Sequence, residues 1–192
     1  MNKVEIQSKK LVFDGFFKMY EAVIRYLRFD GQMSQPVRRL VFERGDAVAA
    51  IVWHRDRQKV ILTNQFRYPA YEKGPGWIYE VVAGMRDADE QPEEAMRREM
   101  IEEIGYQPSI LTPIGTFYVS PGGTSERIML YYAEIGNGDK IGAGGGLASE
   151  HEDIQLIELS PVELWEALND NTLVDAKTII GAMWLRRKLI GQ

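Results

Sequence analysis

The chain has 192 residues, no cysteine and a formal net charge of −5, with 23 basic against 28 acidic residues. That length suits one domain, or one with a small appendage, and the lack of cysteine excludes a disulfide framework, a thiolate zinc site and a cysteine nucleophile. At 45% hydrophobic and 27% charged the chain can bury a globular core, while its acidic balance excludes capture of nucleic acid by bulk charge. An anionic substrate therefore needs local help, such as a metal.

The N-terminal Met1-Asn2-Lys3-Val4-Glu5 holds no apolar signal-peptide core, so the cytoplasm is the expected compartment. From Phe16 to Phe29 polar and apolar residues roughly alternate, as in a strand, and Asp30-Gly31 supplies a tight hairpin turn. The returning strand runs from Gln32 to Glu43, with Pro36 marking an edge or a bulge. A small antiparallel sheet domain is expected over 1–45, and the break at Arg44-Gly45-Asp46 opens the main domain, 46–192. There Ala47 to Trp53, too short to cross a bilayer, pairs with Val60 to Gln65 across Arg55-Asp56-Arg57-Gln58. A loop from Pro69 to Gly76 leads to a strand at Trp77 to Val82.

Pro92 at a first helical position and Gly105 just past an end delimit a helix over Pro92 to Ile104. Strands follow near Ile110 to Tyr118 and Arg127 to Glu134, then a glycine-rich loop from Gly136 to Glu150. Ser160-Pro161-Val162-Glu163 is a capping box that opens one helix, and Asp175 caps a last one reaching about Leu189.

The helix from Pro92 carries the informative pattern. At about 100° per residue Glu99, Glu102, Glu103 and Ala95 share one face, while Met96, Met100 and Ile104 share the neighbouring arc and face a core. Clustered carboxylates raise each other's pKa unless a cation sits among them. Oxygen donors without His or Cys suit Mg²⁺ or Mn²⁺, and the small Ala95 leaves room for what the metal holds. A run of glutamates is ordinarily a solvated helix face. Here Gly84, Glu90, Arg98-Glu99, Glu102-Glu103 and Gly105 match the spacing G-x5-E-x7-R-E-U-x-E-E-x-G-U at all seven fixed positions. Chance would produce such a match with a probability on the order of one in a million.

This segment resembles the Nudix box. The resemblance implies an α/β fold, an α/β/α sandwich, and hydrolysis of a nucleoside diphosphate linked to a further group. It makes Glu99 and Glu103 metal ligands, with Glu102 supporting a further metal or its waters. Arg98 would orient the glutamates, Glu90 would steady the loop–helix junction, and Gly84 would allow a sharp turn. Gly15-Phe16-Phe17, Gly31-Gln32-Met33-Ser34, Val37-Arg38-Arg39, Gln65-Phe66-Arg67, Glu80-Val81-Val82-Ala83-Gly84 and Ser120 to Glu126 extend the likeness. They resemble the branch of ADP-ribose pyrophosphatases and related sugar-nucleotide pyrophosphatases, as does Leu147 to Ile154.

That branch implies a metal-binding carbonyl on Ala83, Glu150 as general base and Glu152 as a further ligand, both on a loop that the glycines let move. It places Phe16, Arg39, Arg67, Glu80, Met85 and Glu126 around the substrate, and pairs two subunits into a homodimer by exchange of the N-terminal sheet, so that Phe16 and Arg39 would serve the neighbouring subunit's site. The substrate it implies is ADP-ribose, cleaved to AMP and ribose 5-phosphate. The runner-up is GDP-mannose or another nucleotide sugar, toward which the glycine run and Asp175-Ala176-Lys177-Thr178 lean. A sensor that binds a nucleotide sugar without turnover is disfavoured because Glu99, Glu102 and Glu103 are all kept. His54 and His151 lack metal spacing, and Ser120 lacks the context of a serine nucleophile. No nucleic acid and no membrane are expected as partners.

Overall fold

The computed structural model describes residues 3–191, and of Glu150 the backbone alone. Its strands in chain order are β1 (Val4–Asp14), β2 (Lys18–Tyr26), β3 (Val37–Glu43), β4 (Ala47–His54), β5 (Lys59–Phe66), β6 (Trp77–Glu80), β7 (Val82–Met85), β8 (Ile110–Tyr118), β9 (Arg127–Ile135) and β10 (Gln155–Leu159). The helices are α1 (Tyr68–Tyr71), α2 (Pro92–Ile104), α3 (Pro161–Asn169) and α4 (Ala176–Ile190). Two compact units result. One holds the residues up to Asp46 with Tyr118–Arg127, and the other holds Ala47–Phe117 with the residues from Ile128 onward.

The smaller unit is an antiparallel sheet in the order β1-β2-β3. Its first strand is absent from the sequence reading, and the expected strand from Phe16 is confined to Lys18–Tyr26. The physical reason is that β1 is exposed at nine of its 11 positions, so no buried face imprints a period of two on its residues. Gly15 to Phe17 form the turn between β1 and β2, where the Gly15 N–H donates to the Phe17 carbonyl (3.1 Å). At the expected hairpin Gly31 adopts φ 81° and its N–H donates to the Arg28 carbonyl (3.0 Å). The segment Tyr118–Arg127 joins this unit because the Phe42 N–H donates to the Gly123 carbonyl (2.8 Å) and Ser125 Oγ donates to Glu43 Oε2 (2.7 Å).

The larger unit is built on a seven-stranded mixed sheet. Its path is β10-β5-β4-β9-β8, with β6 paired to β5 and β7 paired to β4. All eight residues of β4 are buried, and their alternation divides the core. Val48, Ala50 and Val52 pack with Ala95, Met96, Met100 and Ile104 of α2, while Ala49, Ile51 and Trp53 pack with Leu164 of α3 and Ala182 and Leu185 of α4. A sheet with helices on both faces is the expected α/β/α sandwich. Met96, Met100 and Ile104 are fully buried, each contributing roughly 1.5–3 kcal/mol.

Local chemistry sets the helix ends. Gly105 closes α2 in the left-handed conformation (φ 75°). The Ser160–Glu163 capping box opens α3, and Asp175 caps α4 by accepting from the Thr178 N–H (2.9 Å). The single strand expected at Trp77 to Val82 is two strands, because the chain leaves β5 after Glu80 and joins β4 at Val82.

Candidate active site

Ala83 and Gly84 lie on β7, where the sheet faces α2. Gly84 is not at a sharp turn, contrary to the sequence reading; it sits in strand opposite Val48. A methyl group there would overlap the carboxyl group of Glu99, so this glycine admits a close approach. The Ala83 N–H donates to Glu103 Oε2 (3.2 Å). Ala95 is fully buried in the core rather than open to a ligand, which corrects the expectation that it makes room for one.

Arg98 organises the outer edge of the acidic face. Its Nε and Nη2 reach the two oxygens of Glu90 (3.1 Å each), and Nη1 bridges Glu99 Oε1 (2.8 Å) and Glu102 Oε2 (3.0 Å). Nη2 also donates to the Met85 carbonyl (3.1 Å), tying the loop to the strand end. The Arg98 hydrogen bonds hold the Glu90 carboxyl below the usual range. Burial pushes Glu99 up to about 7 despite Arg98, with Glu102 and Glu152 adding repulsion. Glu103 is pushed well above the usual range, first by burial and then by Glu99, against the Ala83 N–H. Glu152 repels Glu103 as well, and Arg67 offsets part of that charge.

Glu99 and Glu103 are thus buried carboxyl groups whose charged forms lack enough compensation, the condition under which a cation is favoured. Their hard oxygen donors fit a divalent ion of the magnesium type. Among the described residues no three His, Asp or Glu side chains already converge as a metal cage. Arg98 takes up one oxygen each of Glu99 and Glu102.

The glycine loop is docked on α2 in this conformation. Gly146 and Gly145 donate their N–H groups to the carbonyls of Glu102 (3.1 Å) and Glu103 (2.8 Å), and Ile141 and Gly142 donate to that of Gly105 (2.9 and 3.0 Å). These bonds satisfy carbonyls that a helix end leaves open. Gly144 and Gly145 have φ of 72° and 100°, and a Cβ on Gly144 would stand 2.8 Å from the Glu103 carbonyl oxygen. The glycines therefore dock the loop on α2. Beyond them lies a 3₁₀ turn at Ala148–Glu150, and the Leu147 N–H holds Glu152 Oε2 (3.0 Å). The side chain of Glu150, the expected base, lies outside the described residues.

Arg67 follows β5, and its Nε donates to Glu80 Oε2 (2.7 Å). Glu80 Oε1 accepts from Lys177 Nζ (3.1 Å), which also reaches Asp175 Oδ1 (2.7 Å). Lys177 is the partner that sequence reasoning missed. The Asp175 cap was visible, but the approach of α4 to the end of β6 was not. The larger unit thus brings together Ala83, Met85, Arg98, Glu99, Glu102, Glu103 and Glu152, with Arg67 and Glu80 beside them.

Phe16, Arg39 and Glu126 belong to the smaller unit. Phe16 is 94% exposed, its ring edge-on to Phe17 at 4.7 Å. Arg39 lies on β3 opposite Ala22 and donates to the Arg38 carbonyl (3.0 Å). Glu126 is buried and forms an ion pair with Arg44 (3.3 Å).

Residues 43–179 match the NUDIX domain family. The chain is 37% identical over 188 residues to the ADP-ribose pyrophosphatase of Escherichia coli, covering 96% of this chain and 88% of that protein. It is also 37% identical over 179 residues to the GDP-mannose pyrophosphatase of Pectobacterium atrosepticum, covering 92% and 91%. The crystal structure of an ADP compounds hydrolase shares the fold with a TM-score of 0.75, covering 99% of this chain and 96% of that one at 18% identity.

Proposed function

The chain belongs to the Nudix family, and we propose that it hydrolyses the diphosphate of ADP-ribose to AMP and ribose 5-phosphate. As a Nudix hydrolase it acts on pyrophosphate bonds. The observation that carries the reading is the buried pair Glu99 and Glu103, set against Ala83 and Gly84 with more negative charge than Arg98 and Arg67 offset.

In this reading Glu99, Glu103, Glu152 and the Ala83 carbonyl hold Mg²⁺, for which Mn²⁺ can substitute. Such an ion would supply charge neutralisation at the diphosphate and a lowered pKa for the attacking water. Arg98 keeps Glu99 and Glu102 in orientation, and Glu150 takes the proton of the water whose oxygen bonds to phosphorus while the bridging oxygen leaves on the other phosphate. Arg67, aimed by Glu80, meets phosphate or the terminal sugar, since a guanidinium fork suits both. Met85 and Glu126 complete recognition, while Phe16 and Arg39 of the exchanged sheet serve the site of the neighbouring subunit, with Phe16 stacking on the base there.

The active species in this reading is a cytoplasmic homodimer that exchanges its N-terminal sheets. Exposed Val4, Ile6 and Leu11 on β1, at 57%, 66% and 43% and paired to Tyr26, Ile24 and Tyr20 on one face of β2, support a covered sheet face. No described helix is long and apolar enough to cross a membrane.

A GDP-mannose pyrophosphatase is the second reading, favoured by the equal identity of that relative. Product analysis on a panel of nucleotide sugars with Mg²⁺ separates the two. AMP and ribose 5-phosphate formed from ADP-ribose at the highest kcat/KM is the expected result. A higher value for GDP-mannose moves the substrate to the second reading, and no turnover of any member overturns the proposal.

A further inference from the structure

Between β6 and β7 the chain changes partner within one residue. Glu80 is the last residue paired to β5 and Val82 the first paired to β4, so Val81 belongs to neither ladder. Val81 is 1% exposed, and a buried N–H without a strand partner needs one elsewhere. It donates to Thr178 Oγ1 (2.8 Å), in the first turn of α4. The hydroxyl in turn donates to Asp175 Oδ2 (2.7 Å), the same oxygen that accepts from the Thr178 N–H. Donor and acceptor roles of the hydroxyl are therefore both filled, and its lone pair is aimed at Val81. On the other side of the switch Lys177 holds Glu80, so one helical turn grips the chain at two consecutive residues. Two residues past Val81 the Ala83 N–H meets Glu103, and at the third Gly84 meets Glu99.

We propose that Thr178 is a positioning residue for hydrolysis, its hydroxyl fixing the strand switch and through it the placement of Ala83 and Gly84 against Glu103 and Glu99. The inference rests on reading that group as the metal-holding site. Valine at 178 would fill the same buried volume, so packing alone does not account for a hydroxyl with both partners in place. Displacement of a reacting group by about 1 Å is enough to cost on the order of a hundredfold in rate.

The test compares wild type, Thr178→Val, Thr178→Ser and Glu103→Gln in Mn²⁺ titrations of the substrate-free protein followed by electron paramagnetic resonance, with kcat, KM and a thermal melt for each. Thr178→Val is expected to weaken Mn²⁺ binding about tenfold and to lower kcat by about tenfold or more with KM little changed, while Thr178→Ser stays within about threefold of wild type. Mn²⁺ binding that Glu103→Gln loses and Thr178→Val keeps, with normal kcat and only a lower melting temperature, overturns the positioning role alone. Equal Mn²⁺ binding by wild type and Glu103→Gln removes the metal reading, and the inference with it. If Thr178→Val does not fold, Asp175→Asn is compared with Lys177→Met, which loses the same Lys177–Asp175 ion pair but keeps the bond from the Thr178 hydroxyl to Asp175. Mn²⁺ binding weaker in Asp175→Asn than in Lys177→Met supports the role, and equal binding in the two overturns it.

Discussion

The carboxyl group of Glu99 fills the space that a side chain on Gly84 would occupy. Strand and helix approach so closely there that the smallest residue is a condition of the site. Gly84 needs no unusual backbone angle, so its requirement is volume alone. Gly84→Ala is expected to displace Glu99 and lower kcat roughly a hundredfold, with a smaller loss in melting temperature. Steady-state kinetics over a range of Mg²⁺ would check this. A wild-type rate would show that Glu99 is not needed where it stands.

Removing one buried charge should separate activity from stability. Glu103→Gln keeps the size of the side chain and removes a carboxyl group whose charge is disfavoured first by burial and then by Glu99. Turnover should fall by roughly a hundredfold or more, while the melting temperature in chelator rises above that of wild type. Calorimetry in chelator beside an activity assay reads both, and a melting temperature that falls would contradict the view that the buried Glu103 charge costs stability.

The docked loop makes a graded prediction. Gly145 has φ 100° with nothing within 4 Å of a built Cβ, so Gly145→Ala introduces backbone strain without a clash. Such strain costs about 1–2 kcal/mol, opposes the bond to the Glu103 carbonyl, and should lower kcat as the loop carrying Glu150 and Glu152 loosens. Gly142→Ala, at an ordinary φ with its nearest neighbour at 3.7 Å, should behave as wild type. Proteolysis rates at the loop and kcat for both variants decide it.

His54 gives a pH dependence with a definite sign. It is fully buried and its pKa is lowered, first by burial and then by Arg57. Below the ordinary histidine value of 6.5 the unfolded chain therefore binds a proton that the folded one resists. Stability should fall as pH drops from 7 through 6.5 and below, toward the folded value. His54→Asn keeps an oxygen for the Arg57 N–H, which donates to His54 Nδ1 (3.4 Å), and should flatten that part of the profile. Melting temperatures of the two proteins between pH 5 and 7.5 would show parallel curves if His54 contributes nothing.

Phe16 tests recognition from the smaller unit. Stacking on a base contributes about 1–3 kcal/mol, so Phe16→Ala should raise KM for ADP-ribose about tenfold and leave the melting temperature unchanged, since the ring is 94% exposed. Sedimentation of the wild type reads the assembly in the same preparation. A fully active monomer would defeat the exchanged sheet.

The spacing of Gly84, Glu90, Arg98, Glu99, Glu102, Glu103 and Gly105 by itself determined the family, the helix Pro92–Ile104 and which of its faces carries the carboxylates. Helix periodicity and caps are local, so they are written in consecutive residues. What only the tertiary structure decided lies between elements distant in sequence. Gly84 serves approach rather than a turn, and Ala95 is core because β4 packs on it. The glycine run is tied to carbonyls of α2, and Lys177 and Thr178 of α4 reach Glu80 and Val81 across 97 residues of chain. Exposed β1 left no pattern at all, since a strand without a buried face places no periodic demand on its side chains.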